Sequence, residues 1–119
     1  MSLFFKDSMH QKFYEDFQRA INFDKEDREL FSALYLICGN REFDYLGRYI
    51  DVQRKKLYLS DFIDTEGFFD WDMADQELTR LAAALYDGTS CDLHSCFKQL
   101  EGSDLKMALQ AIQLRYGEE

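Results

Sequence analysis

Thr79-Arg80-Leu81-Ala82-Ala83-Ala84-Leu85-Tyr86-Asp87-Gly88 is the stretch that decides the fold class. With Leu78 ahead of it, Leu78, Leu81, Ala82 and Leu85 recur at the spacing of one helical face. The run Ala82-Ala83-Ala84 raises helix propensity and lets a neighbouring element come close. Asp72 or Asp75 starts this helix and Asp87-Gly88 ends it. It is the clearest helix in the chain, and the segments on either side of it read in the same way.

Towards the N-terminus, Ser8 caps a first helix, with Gln11 at the reciprocal capping-box position. Met9, Phe13, Phe17 and Ala20 or Ile21 form its expected inward face, and Phe4 and Phe5 lie where they could staple against its start. A second helix is expected over residues 25–38, capped by Asp24, with Leu30, Phe31, Leu34, Ile37 and Cys38 as its apolar stripe. Gly39-Asn40 ends it in the left-handed manner. Phe43, Leu46 and Ile50 predict a third, shorter helix over residues 42–50, widened by Tyr45 and Tyr49. Residues 56–59 read either as a short strand or hairpin or as an extended connector. One strand without a visible mate makes no sheet. Ser60 caps a single turn with Ile63 inward, Gly67 breaks it, and Phe68-Phe69-Asp70-Trp71 reads as irregular.

Beyond Gly88, residues 92–100 predict a helix with Leu93, Cys96, Phe97 and Leu100 inward. Gly102 closes it and Ser103 caps a last helix. That helix presents Leu105, Ala108 or Leu109, Ile112 and Tyr116 before Gly117. The fold class is therefore all-α: a compact domain of five or six short helices with an irregular central connector, spanning residues 1–119 as one domain.

Four segments, in order, resemble a family of small uncharacterised helical proteins from Gram-positive bacteria and their mobile elements. They are Asp7-Ser8-Met9-His10-Gln11-Lys12-Phe13-Tyr14, Arg28-Glu29-Leu30-Phe31-Ser32-Ala33-Leu34-Tyr35 with Gly39, residues 79–88, and Ala111-Ile112-Gln113-Leu114-Arg115-Tyr116. The resemblance covers nearly the whole chain. The chain departs from it in lacking prolines near the end and before the fourth helix, and in a shifted pattern around Trp71. It implies the helical fold and carries no activity across.

Composition bounds the function. Of 119 residues, 46% are hydrophobic and 16% aromatic, enough for a core. The formal net charge is -9, which argues against direct binding to nucleic acid or to an anionic membrane. Arg54, Lys55 and Lys56 make at most a small basic patch. No apolar run approaches the length of a membrane helix, and residues 1–7 are too short in their apolar part for a secretory signal. Three cysteines suit a reducing compartment rather than a disulfide framework. The expected address is cytoplasmic.

The charge is unevenly placed. Residues 57–79 hold Asp61, Asp64, Glu66, Asp70, Asp72, Asp75 and Glu77 and no Lys or Arg, while the rest of the chain carries 16 acids against 14 bases. Phe62, Ile63, Phe68, Phe69 and Trp71 are interleaved with them. Acids that steer association beside aromatics that supply desolvated contact suit a basic protein partner. The expected partner-binding residues are Asp61, Asp64, Phe68, Phe69, Asp70, Trp71, Asp72 and Asp75. In its specific form this reading is a mobile-element accessory that mimics nucleic-acid charge. The competing reading of the same segment is aromatics that close the core beneath solvated acids.

The alternative class is a small metal- or cysteine-dependent enzyme. Cys91-Asp92-Leu93-His94-Ser95-Cys96 carries thiolate and imidazole ligands suited to zinc, and Cys38 could supply another. The spacing is not that of a common structural zinc site, and on the predicted helix His94 points away from Cys96. The sequence leaves open whether Cys38, Cys91, His94 and Cys96 meet. Neither His10 nor His94 is placed beside a cysteine as a catalytic base. No nucleophile elbow, phosphate loop or dinucleotide fingerprint occurs. No catalytic residue, metal or cofactor is assigned, and a non-enzyme is favoured. Arg115 is expected to neutralise the end of the last helix or to pair with a central acid, with Tyr116 over the core edge. Homo-oligomerisation through the aromatic faces of the second or third helix is a further expectation.

Overall fold

The computed structural model describes residues 3–21, 27–63 and 65–117, excluding the side chain of Glu66. Helix α2 (Arg28–Cys38) lies at the centre, and every residue from Leu30 to Cys38 is buried. A helix that is apolar on every side has to be enclosed. Helices α1 (Ser8–Ile21), α5 (Met73–Asp87) and α7 (Gly102–Tyr116) surround it, and α6 (Leu93–Lys98) packs on α5. Between α2 and α5 run α3 (Phe43–Leu46), a 3-10 turn (Gly47–Tyr49), strands β1 (Ile50–Asp51) and β2 (Lys56–Leu57), α4 (Leu59–Ile63) and a second 3-10 segment (Glu66–Asp70). The result is a compact all-α domain, with seven short helices among the described residues and a small hairpin in its connector.

The strand at residues 56–57 does have a mate. β1 pairs with β2 antiparallel, Ile50 opposite Leu57 and Asp51 opposite Lys56. The predicted third helix stops at Leu46, tightens to 3-10 geometry and becomes this strand, although Phe43, Leu46 and Ile50 keep helical spacing. The hairpin is pinned from outside by the Tyr86 hydroxyl, which accepts from Leu57 N–H at 3.2 Å. Arg54, Lys55 and Lys56 lie exposed on its loop side.

Several helix ends differ from expectation. Asp7 caps α1 in place of Ser8, its Oδ1 accepting from His10 N–H at 2.8 Å. The inward face of α1 is rotated onto His10, Tyr14 and Ile21, with Met9 exposed and Phe13 stacked on Phe43 at 4.2 Å. Asp27 caps α2 through Leu30 N–H at 3.2 Å. The expected cap Asp24 lies outside the described residues. Gly39 ends α2 in right-handed geometry, φ -94°. Its missing side chain is needed for space: a Cβ there would lie 2.3 Å from Met107 Sδ and 2.8 Å from His10 Cε1.

Helix α5 matches its pattern. Leu78, Leu81, Ala82 and Leu85 are buried, and Gly88 at φ 82° closes the helix with its N–H on Ala84 O. Ser60 lies inside α4 rather than at its cap, and Phe62 is its deeper residue while Ile63 is half-buried. Leu93, expected inward, is exposed. Glu101 precedes α7, which turns Met107, Ala108 and Ala111 inward and leaves Leu109 and Tyr116 exposed. Arg115 pairs with Glu29 at 3.3 Å and donates to Leu85 O at 3.1 Å, so its partner is not a central acid.

The N-terminal segment, residues 3–7, is strapped across α2 and α7. Phe4 N–H donates to Gln110 Oε1 at 3.1 Å, and the Tyr35 hydroxyl donates to Phe4 O. Phe5 packs edge-on to His10 at 5.0 Å. His10 Nδ1 accepts from Lys6 N–H at 3.2 Å. The other ring nitrogen, Nε2, must then carry the proton that it shares with Tyr35 O at 2.8 Å. His10 is thus a satisfied, buried hinge between the strap and α2.

Candidate functional site

The central connector is nailed down by two rings. Phe62 and Phe68 are fully buried and meet edge-to-face at 5.6 Å. Full burial of one such ring contributes roughly 1.5–3 kcal/mol. Phe62 also meets Tyr45 at 4.9 Å, Tyr49 at 5.1 Å and Trp71 at 5.0 Å. The Arg80 guanidinium covers the Phe68 ring at 5.0 Å. Phe68 is therefore a core anchor, not an accessible contact, and the expectation that it meets a partner is corrected.

Phe69 is turned the other way and is 57% exposed. Its backbone is held from beneath by the buried Gln76, whose Nε2 donates to Phe69 O at 3.3 Å and Trp71 O at 2.7 Å. Trp71 is half-buried, lying on Phe62 and Phe68 with its edge towards Tyr45 at 6.0 Å. Tyr45 and Met73 are exposed as well. The connector thus offers a row of apolar groups on a fixed backbone. Arg48 already stands over the Tyr45 ring at 5.0 Å, a guanidinium–aromatic contact of the kind that an arginine from outside could make with neighbouring rings.

The acids divide into two sets. Asp61, Asp70 and Asp72 are exposed, and among the described residues none of the three is in an ion pair. Asp61 lies near Tyr49, whose hydroxyl is held above its ordinary pKa by loss of solvent and by Tyr45, with Asp61 acting in the same direction. Asp72 stands at the start of α5, where its carbonyl accepts from Gln76 N–H at 3.0 Å. Asp64 lies outside the described residues.

Asp75 and Glu77 belong to the interior. Asp75 is buried and faces Arg41 Nε at 3.2 Å, and Arg41 Nη2 reaches Asp104 at 3.2 Å. Burial raises the Asp75 pKa, opposed by Arg41. Glu77 is clamped by Arg80 at 2.5 Å. Asp75 thus joins Phe68 among the expected contact residues that the fold withdraws from solvent. The remaining exposed group is Asp61, Phe69, Asp70 and Asp72, with Trp71 half-exposed.

The cysteine–histidine set does not assemble. Cys38 is buried at the end of α2, where burial and Asp16 push its thiol pKa up. His94 is exposed, and Cys96 is buried against α5 with its thiol 3.7 Å from Glu77 O. Among the described residues no group of three or more His, Cys, Asp or Glu side chains is placed to hold a metal ion. No described helix is long and apolar enough to cross a membrane. Sequence reading missed the burial of His10, for which the preceding Phe4-Phe5 pair was the available signal. No protein-family model, no curated protein and no solved structure matches the chain.

Proposed function

We propose that this protein is a binding module for a basic protein surface. The face it uses is made of Asp61, Phe69, Asp70, Trp71 and Asp72, with Tyr45 and Met73 at its edges. The observation that carries the reading is the exposed Phe69 on a backbone clamped by Gln76, next in chain to Asp70 and close to Asp72, both of them, like Asp61, in no ion pair among the described residues. A ring fixed before association loses little conformational freedom on binding. Unpaired acids around it raise the encounter rate with a cationic surface. A second copy of the chain would set these acids against their own kind, which favours a basic partner over self-association. The burial of α2 removes its aromatic face as a dimer surface. In its specific form the module is a mobile-element accessory that occupies a host protein's nucleic-acid groove; the acidic display is what supports that form.

Trp71, the sole tryptophan, is a built-in reporter of this face. Titration with an arginine-rich peptide is expected to change its fluorescence saturably, with affinity falling as salt rises. F69A and the triple variant D61N/D70N/D72N should each weaken binding, the latter by about tenfold or more at low salt. Excess single-stranded DNA should compete for the peptide. Affinity that stays flat across the salt series, or is unchanged in both variants, refutes recognition by this face.

A further inference from the structure

The strap over residues 3–7 is tied to three different helices. Phe4 is held at both of its backbone polar groups: its N–H donates to Gln110 Oε1 of α7 at 3.1 Å, and its carbonyl accepts from the Tyr35 hydroxyl of α2. Lys6 N–H donates to His10 Nδ1 of α1 at 3.2 Å. Of these three partners, imidazole is the one whose hydrogen-bonding role changes with a proton near neutral pH. The His10 ring is fully buried and both of its nitrogens are committed to the backbone, Nδ1 as acceptor and Nε2–H as donor to Tyr35 O at 2.8 Å. A second proton turns Nδ1 into a donor that faces the Lys6 N–H donor. Reversing the ring gives no relief, because an imidazolium has no acceptor on either side.

We propose that the strap is a proton-operated latch: a proton on His10 Nδ1 breaks its hold on Lys6 N–H and releases residues 3–7 while the helical core stays folded. The imidazolium needs water or an anion at Nδ1. The ring is enclosed there by the strap itself, with Phe5 edge-on at 5.0 Å, and on the α2 side by the Tyr35 ring at 4.7 Å. Lifting the strap is the movement that lets water in without disturbing α2. Release uncovers Leu3, Phe4 and Phe5. It also removes one wall of an open cleft of about 450 Å³ lined by Leu3, Phe5, Gln11, Tyr14, Glu15 and Gln18.

The surrounding charges set where the latch opens. Burial first, and then the Lys6 ammonium, lower the His10 pKa from 6.5, while the Tyr35 carbonyl and the Asp7 carboxylate oppose them. Asp7 also caps α1 through His10 N–H at 2.8 Å. The phenols nearby do not titrate in this range: burial pushes Tyr14 of α1 up to about 12 and raises Tyr35 of α2 as well. On α7, Met107 next to the ring is uncharged, and the Lys106 ammonium stands over the Phe4 ring at 5.7 Å. The latch is therefore closed at neutral pH and opens on the acid side of a free imidazole. It shares no residue with the acidic face and does not depend on the partner reading.

The test follows amide hydrogen exchange of the full chain by NMR from about pH 7.5 to about pH 4.5, each rate corrected for its intrinsic pH dependence, with the His10 ring nitrogens as the record of protonation. The Phe4 and Lys6 amides should lose protection by about tenfold per pH unit below the His10 midpoint, the dependence of a single proton. Amides of Leu34, Leu36 and Ile37 in α2 should keep theirs. D7N retains an oxygen for the cap and removes the carboxylate, so its latch should still open, at lower pH. H10F should leave the strap amides with no pH dependence. Strap protection that stays flat while the ring titrates overturns the proposal. So does loss in step with α2, or a pH dependence that vanishes in D7N or persists in H10F. The native and D7N measurements decide even if H10F fails to fold.

Discussion

Replacing Gly39 by alanine tests the junction on which the fold turns. At φ -94° the backbone is open to any residue. In free space the change would stabilise the protein by about 0.4–1 kcal/mol, because alanine restricts the unfolded chain. The space is not free. The added carbon would lie 2.3 Å from Met107 Sδ and 2.8 Å from His10 Cε1, where van der Waals contact wants about 3.5–4 Å. Neither neighbour moves cheaply. Met107 is fully buried, and His10 is tied at both ring nitrogens. Overpacking of this kind costs about 1–3 kcal/mol, so the net expectation is a loss of up to about 2.6 kcal/mol.

For a chain of this size about 1 kcal/mol moves Tm by roughly 4 °C, so G39A should melt lower, by up to about 10 °C, by circular dichroism. Gly47 is the matched control. It has φ -57°, and nothing lies within 4 Å of its would-be Cβ. G47A should melt about 2–4 °C higher. If G39A and G47A shift Tm in the same upward direction, the close approach of α2, His10 and Met107 is refuted.

Two further perturbations address the ionisable interior. His10 has its pKa lowered, by burial first and by Lys6, against the Tyr35 and Asp7 contacts; the unfolded chain therefore takes up its proton first as pH falls. The His10 contribution is complete above about pH 6.5 and declines below it, with a slope of at most ~1.4 kcal/mol per pH unit. Urea melts of the native protein should show a steeper acid-side loss than those of H10F, and parallel curves would refute the assignment. R41A strips the counter-charge from the buried Asp75 and should cost about 1–2 kcal/mol at neutral pH, discounted because Arg41 is half-exposed. Because the Asp75 pKa is raised, that deficit should shrink as pH falls through a range above that of an ordinary aspartate, and be small in a D75N background. An equal deficit at every pH would rule out the pairing.

The helices were legible where burial is one-sided. In α5, Leu78, Leu81, Ala82 and Leu85 carry an unbroken period, and Gly88 supplies the left-handed stop. Helix α2 was under-read because Ser32 and Tyr35 look polar. Inside the fold their hydroxyls donate to Glu29 O and Phe4 O, so enclosure on all sides costs no unsatisfied group. The α1 face was rotated for the same reason: His10 and Tyr14 are polar residues that the core accepts. The hairpin was hidden because Ile50 continues the spacing of Phe43 and Leu46 while its true partner, Leu57, lies beyond a loop. At the candidate site, adjacency set the limit. Phe68 and Phe69 are alike in sequence, and only the 3-10 geometry of Glu66–Asp70 sends one inward and the other out. The partner of Asp75 is 34 residues away, and no local pattern announces it.

That separation gives the acidic face its meaning. Asp75 and Glu77 are inside and each has an arginine, so their charge is consumed by the fold. Asp61, Asp70 and Asp72 are outside, with no ion pair among the described residues, so the fold does not consume their charge. Surface ion pairs contribute at most about 1 kcal/mol even where they exist, and these three acids lack that contribution. Helix α5 is stopped by Gly88 and anchored by Leu78, Leu81 and Leu85, and the connector is anchored by Phe62 and Phe68, none of which depends on the outward carboxylates. The same connector holds Phe69 in solvent through two hydrogen bonds from the buried Gln76. A buried amide thus fixes the backbone on both sides of Asp70, while the Phe69 ring stays outside next to charge that no ion pair among the described residues neutralises.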